Sequence, residues 1–137
     1  MPTYNDADII QRILREMKTI AVVGLSADPS KPSHYVSAYM QDAGYRIIPV
    51  NPRASGELLG EKVYPDLASI PEPVDLVNVF RPSRECAGVI EQAIAILAKG
   101  VWTQLGITCP EAAEKARAAG LLVVMDRCLK IEHARLG

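Results

Sequence analysis

The sequence predicts an α/β chain, a Rossmann-like three-layer fold around a five-stranded, mostly parallel sheet. Three observations carry that expectation. Short apolar runs recur at 20–23, 47–50, 76–80, 101–105 and 121–125, and the first, Ile20-Ala21-Val22-Val23, is wholly apolar, as in a strand covered on both faces. The stretches between the runs carry apolar residues at helical spacing. Nearly every run gives way at its carboxyl end to glycine or polar side chains. Strands alternating with helices imply right-handed crossovers and a parallel sheet. The expected strand order is 3-2-1-4-5, with the switch point between the first and fourth strands.

The elements follow in order. Asn5 or Asp6 caps a first helix, whose apolar face is Ile9, Ile10, Ile13, Leu14 and Met17. The first strand ends at Gly24, and residues 24–33 form a loop rich in Gly, Ser, Asp and Pro. Pro32 or Ser33 opens a helix carrying Val36, Tyr39 and Met40, which stops at Gly44. Ile47-Ile48-Pro49-Val50 is the second strand, although Pro49 counts against it because proline cannot donate to a ladder. Residues 54–74 are irregular, with turns at Gly56 and Gly60, a candidate short strand at Val63-Tyr64 and one helical turn at 66–70. After the third strand, Ser83 caps the longest helix, expected to reach Lys99 and stop at Gly100. The fourth strand precedes a helix from Pro110 to Ala119, stopped by Gly120. The fifth precedes a short C-terminal helix through Ile131 and Arg135. The whole, residues 1–137, reads as one domain, with residues 1–18 as an N-terminal helix packing on it.

Composition excludes several classes. Fifteen basic residues nearly cancel sixteen acidic ones, so nothing favours nucleic acid or an anionic membrane. No apolar run approaches the ~20 residues of a membrane helix, and the N-terminus shows no secretion signal. Cys86, Cys109 and Cys128 are odd in number and widely spaced, which suggests neither a disulfide framework nor a zinc motif. A cytoplasmic location is expected.

In this fold class ligands bind beyond the carboxyl ends of the strands. The first loop, Gly24 to Ser33, offers a glycine, hydroxyls, a helix start and Lys31, a combination that suits phosphate. It lacks both the G-x-G-x-x-G fingerprint and a Walker phosphate loop. At the end of the second strand stands Asn51-Pro52-Arg53, where NAD-binding folds place an acid for the ribose. Arg53 would attract a phosphorylated ribose and bind it in bidentate fashion, which points to NADP or coenzyme A over NAD.

Five segments in order, Ala21-Val22-Val23-Gly24-Leu25-Ser26, Pro49-Val50-Asn51-Pro52-Arg53, Val79-Phe80-Arg81-Pro82, Gln104-Leu105-Gly106 and Met125-Asp126-Arg127-Cys128, resemble the bacterial CoA-binding protein family. These are small stand-alone proteins similar to the N-terminal, CoA-binding domain of the succinyl-CoA synthetase alpha subunit. The resemblance covers residues 18–137. It implies that Gly24, Leu25, Ser26 and Lys31 form the phosphate loop. It places Asn51, Pro52 and Arg53 near the adenosine and its phosphate, and Phe80, Arg81 and Pro82 beside the nucleotide. It gives Gln104, Gly106 and Ile107 to the loop where the pantetheine arm leads to the thiol.

The departures matter as much. The synthetase needs a second domain with a phosphorylated histidine, whereas His34 and His133 match no such segment and read as surface residues. The expectation is therefore a non-catalytic binder of CoA or an acyl-CoA, with no metal. The alternatives are an NADP-dependent enzyme or enzyme subunit, or a CoA-linked redox protein. The last would use Cys128, which follows the fifth strand beside Arg127 and could form a mixed disulfide with CoA. Cys128 and His133 lack further ligands to complete a metal site. Trp102 reads as core.

Overall fold

A computed structural model describes residues 6–136. Five parallel strands form the sheet: β1 (Thr19–Val23), β2 (Arg46–Val50), β5 (Leu76–Val79), β6 (Gly100–Thr103) and β7 (Leu122–Val124). A two-stranded antiparallel ribbon, β3 (Glu57–Leu58) with β4 (Glu61–Lys62), forms a second sheet beside β2. Helices α1 (Ala7–Glu16), α2 (Pro32–Asp42), α3 (Ser83–Ala95), α4 (Pro110–Ala118) and α5 (Leu129–Arg135) cover the two faces. None of these helices is long and apolar enough to cross a membrane.

The strand runs are largely apolar because each feeds two cores. Ala21, Val23, Ile48, Val50, Val77 and Val79 point to one side, where α3 and α4 pack. Ile20, Val22, Ile47 and Leu76 point to the other, with α1, α2 and α5. This is the parity rule of a strand applied to a sheet buried on both faces. Trp102 on β6 is fully buried in the second core, and its indole N–H donates to the Arg127 carbonyl at 2.8 Å.

The sheet order is β2-β1-β5-β6-β7. A parallel bridge between Val50 and Tyr64 extends the sheet by one residue outside β2. With Tyr64 counted as the third position, the 3-2-1-4-5 pattern holds and β7 follows it. The third position is thus a single bridge, and Leu76–Val79, expected there, instead pairs with β1. The switch point therefore falls between β1 and β5: α2 leaves β1 for one face, and α3 leaves β5 for the other.

Pro49 sits in β2 without penalty. Arg46 donates inward to the Lys18 carbonyl, and Val50 accepts inward from Gly24, so even positions face β1. Pro49 faces the open edge, where no ladder donor is needed, and its carbonyl accepts from the Tyr64 N–H at 3.0 Å.

The helix ends show where local signals sufficed. Asp6 caps α1, its carboxylate accepting from the Asp8 N–H at 2.8 Å; the alternative cap, Asn5, lies outside the described residues. α3 stops at Ala95, short of the expected Lys99. Leu97 adopts φ +61°, and the Ala98 N–H closes on the Ala93 carbonyl at 3.1 Å, the left-handed termination that glycine usually provides. A leucine there carries no sequence signal, so the early stop is invisible until the chain is folded. Gly100 then begins β6 rather than ending the helix.

Asp75 braces the amino edge of the sheet. Its carboxylate accepts from the Lys18 and Thr19 N–H groups at 3.0 and 3.2 Å, and Lys99 Nζ lies 3.3 Å away. Burial pushes its carboxyl up, but those donors and the Lys99 charge outweigh it and hold it below the usual range.

The cysteine expectation also fails. Cys86 and Cys109 are joined by a disulfide, with Cα atoms 6.2 Å apart. The packing of α3 against α4 brings together two cysteines separated by 23 residues, a juxtaposition that spacing alone does not reveal. Cys128 is the one free cysteine among the described residues.

Candidate functional site

The carboxyl edge of the sheet is organised around Gly24. Its φ is +96°, and a Cβ there would lie 2.9 Å from Arg81 Cδ and 3.1 Å from the Phe80 carbonyl oxygen. Glycine is needed on two grounds, backbone handedness and space. The Gly24 N–H donates to the Val50 carbonyl at 2.8 Å, and the Phe80 N–H to the Val23 carbonyl at 2.9 Å. The ends of β2, β1 and β5 are thus tied together at the switch point.

On one side of this knot lies a cavity of about 260 Å³ whose lining includes Gly24, Asn51, Pro52, Arg53, Arg81 and Glu85. Arg81 donates twice to the Glu85 carboxylate, at 3.0 and 2.9 Å. Those bonds, with the charges of Arg84 and Arg53 behind them, hold Glu85 below the usual carboxylate range. Arg53 is exposed, and its guanidinium makes no hydrogen bond or ion pair with the described residues. Asn51 fixes the loop beneath it: its amide donates to the Leu25 carbonyl at 3.0 Å and its side-chain oxygen accepts from the Arg53 N–H at 2.9 Å. An uncommitted guanidinium on a tied loop suits an incoming anion.

On the other side of Phe80 lies a second cavity of about 380 Å³, reached from α2, from the loop after β6 and from the start of α5. Phe80, Gln104, Ile107 and Cys128 line it. Gln104 is buried and donates to Asn78 Oδ1 at 2.8 Å, so its amide is turned into the sheet. Two bonds shape the loop: Thr103 Oγ1 donates to the Ile107 carbonyl at 2.7 Å, and the Gly106 N–H to Asp126 Oδ1 at 2.7 Å. Asp126 holds φ +61° to make the latter contact.

The structure therefore brings most of the expected residues to two adjoining cavities, and the exceptions are informative. The Leu25 side chain is fully buried in the core, and its carbonyl is taken by the Asn51 amide. Ser26 is committed to its own loop: its N–H donates to Ser33 Oγ, its Oγ accepts from the Asp28 N–H, and its carbonyl meets His34 Nδ1 at 2.8 Å. Lys31, Pro82 and Gly106 are exposed and line neither cavity. His34 and His133 are half-buried and bonded rather than free surface groups, His133 meeting the Tyr39 hydroxyl at 2.9 Å.

Sequence reasoning missed Glu85, which anchors Arg81; its place four residues on, in the first turn of a helix, is a readable signal. It also missed Tyr35, Leu105, Lys130 and Ile131 in the second cavity. These come from three separate segments, and nothing short of the fold unites them. Among the described residues, no group of three or more His, Cys, Asp or Glu could hold a metal.

Known proteins share this sequence and this fold. The uncharacterized protein YneT of Bacillus subtilis is 47% identical over 125 residues, covering 91% of this chain and 92% of that protein. A solved Thermus thermophilus structure is 45% identical with a TM-score of 0.89, covering 96% of this chain and 99% of that one. The apo form of the dinucleotide-forming acetyl-coenzyme A synthetase 1 of Candidatus Korarchaeum cryptofilum is 28% identical with a TM-score of 0.69; the match covers 82% of this chain but 26% of that much longer one. The family model described as the CoA binding domain matches residues 18–134, and this chain belongs to that family.

Proposed function

We propose that this protein binds CoA or an acyl-CoA along the carboxyl edge of its sheet and holds it without transforming it. The observation that carries the reading is the pair of cavities on either side of Phe80 and Arg81. One presents a free guanidinium, the other an apolar lining and a thiol. CoA has the same two-ended character, a phosphorylated nucleotide joined to a long neutral arm that ends in sulfur. In this reading Arg53 takes the 3′-phosphate and the pyrophosphate passes near Gly24. The arm follows Phe80 to Gln104 and Ile107, and its thiol arrives near Cys128. The lining of the second cavity is mainly apolar, with Lys130 and Cys128 as its ionisable groups beside Tyr35, which suits holding the arm. A cytoplasmic site of action goes with this ligand class.

Calorimetric titration with CoA, dephospho-CoA, NADP and NAD tests it. CoA should bind most tightly and NAD not at all. Tight binding of NADP or NAD with none of CoA would overturn the proposal and favour a nicotinamide-dependent role.

A second reading rests on Cys128, the free thiol in the cavity meant for the arm. Its thiolate could attack a CoA disulfide, forming a Cys128–CoA mixed disulfide and releasing one CoA thiol. Intact-protein mass spectrometry after exposure to CoA disulfide, with Cys128→Ser as control, decides between a passive binder and this exchange.

A further inference from the structure

We infer that the site is built for acyl-CoA carrying an uncharged, apolar acyl group, and that the acyl chain lies in the second cavity against Tyr35, Leu105 and Ile131. The inference rests on the CoA reading above. Among the described residues, four large apolar side chains are exposed: Tyr35 at 45%, Leu97 at 85%, Leu105 at 61% and Ile131 at 44%. Three of the four line this one cavity. They belong to three different elements, α2, the loop after β6 and α5, so the fold has gathered them. Scattered surface apolar residues need no explanation, but a cluster of them around a concavity marks a ligand surface.

Two polar groups of the cavity, the Gln104 amide and the Lys130 ammonium, are engaged elsewhere. The Gln104 amide is turned to Asn78 Oδ1 at 2.8 Å. Lys130 Nζ lies over the Tyr35 and Tyr39 rings, 5.6 and 5.4 Å from their centroids, so its charge rests on aromatic faces. Free CoA would leave the apolar rim wet. A hydrocarbon chain extending from the sulfur would cover it, and the gain should grow with chain length. A charged acyl group would have to draw Lys130 off its rings to find a partner.

The test compares CoA, acetyl-CoA, hexanoyl-CoA and succinyl-CoA by calorimetry on the full chain. Full burial of four further methylenes corresponds to more than about a hundredfold in affinity. In a half-open cavity hexanoyl-CoA should exceed acetyl-CoA by roughly tenfold or more. Succinyl-CoA should bind no better than acetyl-CoA. Ile131→Ser, a change on the exposed side of α5, should narrow the ratio of hexanoyl-CoA to acetyl-CoA. Equal affinities for CoA, acetyl-CoA and hexanoyl-CoA would overturn this inference and leave the CoA reading standing. Succinyl-CoA binding most tightly would overturn it in favour of Lys130 as a carboxylate receptor. Failure of CoA and every thioester to bind would take both down, and the exposed cluster would then belong to a protein partner.

Discussion

Gly24→Ala should destabilise the fold as well as disturb the site. The methyl group meets two obstacles. An L-residue at φ +96° costs about 1–3 kcal/mol, as do other sparsely populated backbone conformations. The contacts at 2.9 Å to Arg81 Cδ and 3.1 Å to the Phe80 oxygen must also open. Arg81 is pinned by its two bonds to Glu85, and Phe80 by its bond to Val23, so neither gives way freely. Overpacking of this kind costs about 1–3 kcal/mol. Together the terms come to about 2–6 kcal/mol, a large share of a typical domain's stability of about 5–15 kcal/mol. For a chain of this length each kcal/mol lowers Tm by about 3–4 °C, so the central expectation is a drop of roughly 10 °C or more. Thermal melts followed by circular dichroism and by the fluorescence of the single tryptophan, Trp102, measure it. Gly24→Ala with Arg81→Ala should recover only part of the loss, since the backbone conformation and the Phe80 carbonyl remain. A Tm within about 2 °C of wild type would refute the reasoning.

Three further outcomes are expected. Arg53→Ala should weaken CoA roughly tenfold, the low end for a charge-assisted bond of about 1.5–3 kcal/mol in a partly hydrated site, and should spare dephospho-CoA; equal loss for both would move Arg53 to the pyrophosphate. Asp75 is held below its usual range, so its contribution to stability is present above the unfolded value near pH 4 and is lost as pH falls through the native one. Asp75→Asn should therefore be less stable at neutral pH and lose less on acidification, and denaturant melts with parallel pH profiles for the two proteins would contradict this. Thiol titration of the denatured, unreduced chain should find one reactive cysteine, and three after reduction; three in both cases would mean that Cys86 and Cys109 are kept as a dithiol.

Much of this architecture was legible beforehand, because its strands are buried on both faces and read as largely apolar runs. Gly24, Gly44 and Gly120 punctuate the chain where the backbone turns left-handed, and such residues announce themselves. Leu97 performs the same turn without a glycine, and the end of α3 was misplaced for that reason alone. The polar cavity was half-legible, since Asn51, Arg53 and Arg81 follow strands directly. The apolar one was not. Tyr35 and Ile131 stand 96 positions apart and touch the same space only because α2 and α5 pack side by side. The Cys86–Cys109 pair escaped for the same reason, being a product of helix packing rather than of spacing.

The outer border of β2 has a consequence beyond the site. An unpaired strand edge is a template on which another chain can add itself. Here the residue that would offer an outward N–H at the middle of the border is Pro49, which has none, and its carbonyl is already taken by Tyr64. Arg46 at the strand's start is clasped by Glu72 and Glu61, which sets charge along the same border. At the far side of the sheet, β7 spans only Leu122–Val124, too short to seed a ladder. Both borders of the sheet are thus poor templates for a strand from another copy of the chain.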